Sequence, residues 1–464
     1  MKTKYAIYVD KYLSSSLKYG TNFDVVRREV GTRRHKGTIY YLTSLVSEVA
    51  VASMLEGIND IVTNKTATKT LLNGNVYTKI SPEEAFIDVT NGVAALILDS
   101  ENYIIMIDVR YYPTRSVSEP TTEQTIRGSK DGFTESININ VGLIRRRIKD
   151  HSFTIQNYII SSISKTYVSV IYLDDIVNKS VLKEIDRRLT NLDIESLVMS
   201  DRALEELILD QKHNPFPLVR YTERPDIASI SLIKGKILIL VDTSSSVLIL
   251  PSTIFEHTYH VEEFRQSPLV GTFTRCLRNI AIILSFTILP FWLSLVSDDG
   301  YNNGFSLNLE NNNMQLIVIQ MLICEFVFEL LRIASIHTPS TISGTIGLIA
   351  AVILSQVALD LGLFLPEIIL LCAISAICQF VTPSYELSLA NKLVKIFLIL
   401  LVAFLGKSGL LIGLGFVFMY LSNINLFGLP YLYPFCPLDI KKALNFISRS
   451  SAKNKTKLWF SKFS

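Results

Sequence analysis

At 464 residues the chain is long enough for two or three domains, and its net charge of +3 is too small to argue for nucleic acid. Charged residues make up 19%, against roughly 25% in soluble domains. There is no P-loop, GxGxxG or GxSxG motif, which argues against an enzyme and against a cofactor.

The average conceals a division. Up to about Gln266 the chain is mixed and charged, from about Asn279 to Leu426 it is mostly apolar, and it closes with a basic tail. The cysteines (Cys276, Cys324, Cys372, Cys378, Cys436) lie in or beside the apolar part. The first 275 residues have none, so no disulfide framework is possible there, as fits a reducing compartment. The opening stretch has no apolar core of signal-peptide length, so the N-terminal region is expected to stay in the cytoplasm.

In chain order, "RREVGTRRHKG", Arg27 to Gly37, reads as a solvated basic loop, with lipid or nucleic-acid contact the alternative. "GTIYYLTSL" reads as a strand, followed by a helical stretch through Leu55. "VAALILDSENYIIMIDV", Val93 to Val109, predicts a hairpin turning at Asp99 to Asn102. A helix follows in "RGSKDGFTESININVGLIRRRIKD", with Thr134 or Ser136 as cap and Arg145 to Arg147 and Lys149 at its negative end. The order then recurs: the strand "YVSVIYLDDI", a helix capped by Asn178, and the hairpin "KILILVDTSSSVLILP". Gly92 and Asp99 are seven apart, as are Gly235 and Asp242, so two related subdomains are expected, with both aspartates as turn formers. His257 and His260 have no third ligand near them in sequence, so no metal site is expected.

The apolar part begins with "NIAIILSFTILPFWLSLV", Asn279 to Val296, long enough to span hydrocarbon, with Pro290 as a kink. Arg265, Arg275 and Arg278 precede it, and an acidic loop to Asn313 without Lys or Arg follows, which places the N-terminal region inside. Further apolar runs are Leu316 to Ile336, Ile342 to Leu359, Leu363 to Val381, Leu393 to Leu405 and Leu410 to Leu421. Cations in the tail place it inside too, so an even number of spans is expected: six, or four if the last two runs form a re-entrant pair.

The run from Leu316 contains Glu325, Glu329 and Arg332. Its apolar residues contribute roughly −0.3 to −0.6 kcal/mol each, and each central charge costs roughly +2.5 to +3.5, so the helix needs partners in a bundle. Spacings of four and three put the three charges on one stripe. That stripe is either a structural Glu329–Arg332 ion pair or a polar pathway or inter-subunit seam. Pro366 at a helix start, and Pro383, Tyr385 and Glu386 in "TPSYELSLANK", are candidate gating or helix-break positions; a solvated loop at the cytoplasmic edge is the alternative for the latter stretch.

Several long stretches resemble the GerA family of spore germination proteins, A-subunit type. They are "RSVSEPTTEQTIRGSKDGFTESININVGLIRRRIKD", "NPFPLVRYTERPDIASISLIKGKILILVDTSSSVLILP", "FELLR", "TPSYELSLA" and "FGLPYLYPFCPLD". "DVRYYPTRSVSEP" with "RGSKDGF" leans toward the stage V sporulation protein AF branch. The resemblance implies a non-enzymatic subunit of the spore inner membrane that forms or gates a cation channel, or amplifies ion release, during germination. It also implies homo-oligomers and membrane partners: a transporter-like B subunit and lipoprotein, or a stage V partner. A non-conducting scaffold or signal transducer is the alternative.

The expected fold is thus an α/β cytoplasmic region of two related subdomains followed by an α-helical multi-pass transmembrane domain. The expected boundaries are 1–133, 134–265 (with the linking helix), 266–426 (four to six spans) and a basic cytoplasmic tail over 427–464.

Overall fold

The computed structural model describes residues 2–31, 36–63, 76–111, 123, 125, 128–209, 211, 214–297, 314–337 and 362–447. The chain forms two compact units, one of Met1–Lys212 and Val219–Ser252, the other of His213–Leu218 and Thr253–Ala452.

The first unit opens with α1 (Lys4–Ser16), β1 (Val25–Gly31), β2 (Lys36–Leu42), α2 (Glu48–Thr63), β3 (Val76–Lys79), α3 (Pro82–Thr90), β4 (Val93–Leu98) and β5 (Ile104–Asp108). Its strands form an antiparallel sheet in the order β1-β2-β4-β5-β3. Both faces are covered, which is why β4 reads as an unbroken apolar run. Val93, Ala95 and Ile97 pack toward Ala6, Val9 and Leu13 of α1 and Ala85 and Val89 of α3. Ala94 and Leu96 pack with Val51, Met54 and Ile58 of α2. Each large aliphatic side chain buried in this way contributes about 1.5–3 kcal/mol.

Helix α4 (Ile137–Arg145) leads to β6 (Phe153–Ile160), β7 (Thr166–Leu173), α5 (Lys179–Thr190), α6 (Ser200–Leu209), β8 (Arg220–Thr222), α7 (Pro225–Ile233), β9 (Ile237–Val241) and β10 (Val247–Leu250). The second sheet runs β6-β7-β9-β10-β8, the same arrangement as the first. Likeness read from two hairpins therefore extends over five strands. The paired glycines have a physical reason: Gly92 and Gly235 sit at φ +90° and +86°, each between a helix end and a strand, where L side chains are strained. Asn178 caps α5 as expected, its side chain accepting from the Ser180 and Val181 amides.

Two local expectations fail. The basic run from Arg27 is not a loop up to Gly31: Arg27–Gly31 belongs to β1, because Val26 and Val30 pack on the sheet core while Arg27 bonds Asp10 at 3.0 and 2.9 Å. Residues 32–35 lie outside the described residues. Arg145 does not serve the helix end either. It turns inward to Asp24 at 2.6 and 2.8 Å, with its guanidinium 4.6 Å from the Phe153 ring centroid. Arg147 takes the expected role, donating to the Leu143 carbonyl at 2.8 Å. Ser136 occupies the α4 cap position without a side-chain bond, and Asn140 instead reaches back to accept from the Thr134 amide at 2.8 Å.

The second unit contains α8 (Glu262–Arg265), α9 (Pro268–Val296), α10 (Met314–His337), α11 (Pro366–Phe380), α12 (Tyr385–Leu405), α13 (Lys407–Asn423), the short pair β11 (Asn425–Leu426) and β12 (Leu429–Pro430), and α14 (Ile440–Ile447). Helices α9 to α12 share a core that includes Leu289, Leu293, Ile317, Met321, Ile368, Cys372, Ile399 and Val402. Pro290 lies inside α9, and the helix continues through it to Val296. Helices α12 and α13 are joined at Gly406, and the pair packs closely. A Cβ on Gly409 would meet the Leu401 carbonyl at 2.3 Å, and one on Gly413 would meet Leu398 Cδ2 at 2.5 Å.

Among the described residues two helices, α9 and α12, are long and apolar enough to cross a membrane. The expected span Ile342 to Leu359, the loop over 298–313 and the tail over 448–464 lie outside the described residues. The segment 427–447 is built into the second unit. Tyr431 is buried with its hydroxyl donating to the Pro217 carbonyl at 2.6 Å, and the Phe446 ring lies 4.7 Å from that of Phe255.

Candidate functional site

Glu325 and Glu329 are one helical turn apart on α10, with Arg332 three residues on. Lys392 and Lys395 are three apart on α12, so both helices present a charged stripe of matching pitch. The stripes meet. Lys395 Nζ lies 2.8 Å from each Glu325 carboxylate oxygen and donates to Ser375 Oγ of α11 at 2.9 Å. Ser375 Oγ in turn donates to the Ser285 carbonyl of α9 at 2.9 Å. Lys392 Nζ donates to Glu329 Oε2 at 2.8 Å and to the Glu325 carbonyl at 3.1 Å. Arg332 closes the row: Nη2 bonds Glu329 Oε1, and the guanidinium stands 4.9 Å from the Tyr385 ring centroid.

The result is a continuous row, Arg332–Glu329–Lys392–Glu325–Lys395. The Lys395 and Glu325 side chains are 0% and 3% exposed, so the row is deepest at that end. Three cations face two carboxylates, leaving one positive charge in excess when all are ionised. Pairs of this kind offset their desolvation only where the bonding is complete, and removing one partner typically costs about 3–5 kcal/mol. Neighbouring polar groups are partly bonded: Gln379 Nε2 donates to the Ser388 carbonyl at 3.4 Å, while Arg332 Nε and Asn391 Nδ2 are buried without a hydrogen-bond partner among the described residues.

The sequence-derived stripe of Glu325, Glu329 and Arg332 is present, and the Glu329–Arg332 pair forms. Tyr385 joins it through Arg332. Pro366 begins α11, and Pro383 lies between α11 and α12. Glu386 accepts from Ser384 Oγ at 2.9 Å beside the α12 cap, and none of these three belongs to the ion row. From Tyr385 onward "TPSYELSLANK" is not the loop considered above. Ser384 caps α12 by accepting from the Leu387 amide, and the buried Lys392 meets carboxylates rather than water.

Lys395 is the residue that sequence reasoning passed over. Its signal was available: a lysine three after Lys392 inside an apolar run, matching acids four apart in another. Arg275 and Arg278, read as the positive flank of the first span, lie on α9 and both bond the buried Glu263. Among the described residues, the side chains close enough to share a metal are Asp150, His151 and Asp175, all exposed in the first unit.

The chain belongs to the Bacillus/Clostridium GerA spore germination protein family, whose family model matches residues 11–458. It is 37% identical over 457 residues to stage V sporulation protein AF of Bacillus subtilis (strain 168), covering 95% of this chain and 92% of that protein. To spore germination protein KA of the same organism it is 28% identical over 453 residues, covering 92% of this chain and 81% of that protein. Among solved structures, the N-terminal domain of the A subunit of the Bacillus megaterium spore germinant receptor GerK3 matches at 27% identity. It covers 52% of this chain and 91% of that chain at a TM-score of 0.37.

Proposed function

We propose that this chain is a multi-pass subunit of a germination complex in the spore inner membrane, where it forms or gates a pathway for cations. The N-terminal unit and the C-terminal tail lie on the cytoplasmic side in this reading, with four to six spans between them. Partners are other germination membrane subunits and further copies of the chain: a transporter-like subunit and lipoprotein, or a stage V partner.

One observation supports the reading: five ionisable side chains from two helices meet inside an apolar helical core. Ionisable groups at membrane depth are costly and concentrate along ion pathways and relays. In the resting arrangement each carboxylate is matched to a basic side chain, so the pathway is closed. A shift of α12 against α10, driven by the soluble unit or a partner, would separate the stripes and free Glu325 and Glu329 to attract cations.

Replacing both glutamates by glutamine tests this. Spores carrying Glu325→Gln and Glu329→Gln are expected to release potassium more slowly on triggering, and unchanged release contradicts a conducting role. The complete pairing of both glutamates also favours a second reading, a non-conducting scaffold or signal transducer whose charges lock the helices together. Purified full-length chain in liposomes separates the two, since a scaffold passes no potassium under any condition that activates the complex.

A further inference from the structure

The row of charges contains one feature that a structural lock does not need. Across α10 and α12 the matched pairs are Glu329 with Lys392 and Glu325 with Lys395, while Arg332 bonds Glu329 within α10. At the most buried end Lys395 is held not by the carboxylate alone but also by the Ser375 hydroxyl of a third helix, α11. We propose that the Lys395 ammonium is a tethered counter-ion, occupying in the resting chain the oxygen site that a permeating monovalent cation takes when the pathway opens. This rests on the cation-conducting reading above.

The ligand set supports it. Lys395 Nζ is held by both Glu325 oxygens at 2.8 Å and by Ser375 Oγ at 2.9 Å. Ser375 spends its own proton on the Ser285 carbonyl, so an oxygen lone pair is turned toward the ammonium. A carboxylate and a hydroxyl oxygen converging on one point are hard ligands able to replace part of a monovalent cation's hydration shell. Ser285, Glu325, Ser375 and Lys395 come from α9, α10, α11 and α12, so this arrangement exists only where all four helices meet.

Electrostatics makes the ammonium a barrier as well as an occupant. With Lys395 in place the row is net positive, and a second cation entering a low-dielectric interior is repelled. With Lys395 withdrawn, the remaining four charges cancel and the Glu325 carboxylate has an open side. The side chain is a flexible four-carbon stem ending in a point charge, so movement of α12 withdraws it without breaking the helix. In the closed arrangement Lys392 bonds Glu329 and the Glu325 carbonyl beside it.

The test measures potassium in dormant and in triggered spores carrying full-length variants. Lys395→Met leaves the row neutral and opens the site, so resting potassium leak is expected to rise several-fold. Lys395→Arg keeps an occupant and should retain potassium. Lys395→Gln, which still donates to Glu325, is a parallel leak variant, and the amount of protein in the membrane fraction is measured for each. Full retention by Lys395→Met with normal triggered release overturns the plug alone. Normal triggered release from the Glu325→Gln, Glu329→Gln spores overturns conduction instead. Absence of both Lys395→Met and Lys395→Gln from the membrane also overturns the plug, because Lys395 would then be a structural partner.

Discussion

Arg145→Met isolates the contact that ties α4 to the start of β1. Asp24 is fully buried and Arg145 nearly so, with two charge-assisted hydrogen bonds at 2.6 and 2.8 Å. After the substitution, Asp24 keeps the Ser44 hydroxyl at 2.8 Å as side-chain donor and loses its counter-charge. Leaving a buried charge uncompensated costs about 3–5 kcal/mol. In a domain of this size each kcal/mol moves Tm by about 2–4 °C, so the unfolding of the first unit should fall by about 6–20 °C. The assay is thermal unfolding of the detergent-solubilised full chain, followed by proteolytic cleavage at sites in the first unit. Asp24→Asn together with Arg145→Met removes both charges and should regain about half the loss, because the uncompensated carboxylate is gone. A shift under about 2 °C, or a double variant no better than the single, refutes the reasoning.

Two further outcomes follow from local geometry. Gly92→Ala forces a side chain to φ +90° and puts its Cβ 2.8 Å from the Leu45 carbonyl, whereas Gly235→Ala meets the Ile176 carbonyl at 3.1 Å. Both should destabilise the first unit by at least about 1–2 kcal/mol, with Gly92→Ala the worse, and the reverse order in a melting comparison would contradict the packing described. Burial pushes the Asp10 carboxyl up, but the hydrogen bonds from Arg27 and Tyr40 outweigh it and hold the pKa below the usual carboxylate value. Its stabilisation is therefore complete above the unfolded pKa and is lost as pH falls through the folded one. The melting gap between wild type and Asp10→Asn should be widest near neutrality and close below about pH 4, and a gap independent of pH would count against the pairing.

What could be read from the sequence was mostly local. The hairpins Val93 to Val109 and Lys236 to Pro251 declare themselves by apolar runs around short polar turns, and Asn178 by its place before an amphipathic helix. Arg145 could not be placed that way, since its partner Asp24 is 121 positions away and a basic residue at a helix end has an adequate local explanation. The ion row was half legible. The acids stood out because they interrupt an apolar run, and the Glu329–Arg332 pair is local. Lys392 stands in a stretch that also reads as a solvated loop, because proline and polar residues precede it, and without a helix there Lys395 has no stripe to belong to. Two charged stripes of complementary sign in separate apolar runs are the pattern that pairs them.

The contact between Glu325 of α10 and Lys395 of α12 is tested most directly by a charge exchange. Glu325→Lys alone places like charges together, and Lys395→Glu alone leaves the row with three acids and two bases. Potassium retention and triggered release should both be disturbed in each single variant. The combined exchange is predicted to restore both toward wild-type behaviour, and a double variant as defective as the worse single one would contradict the pairing.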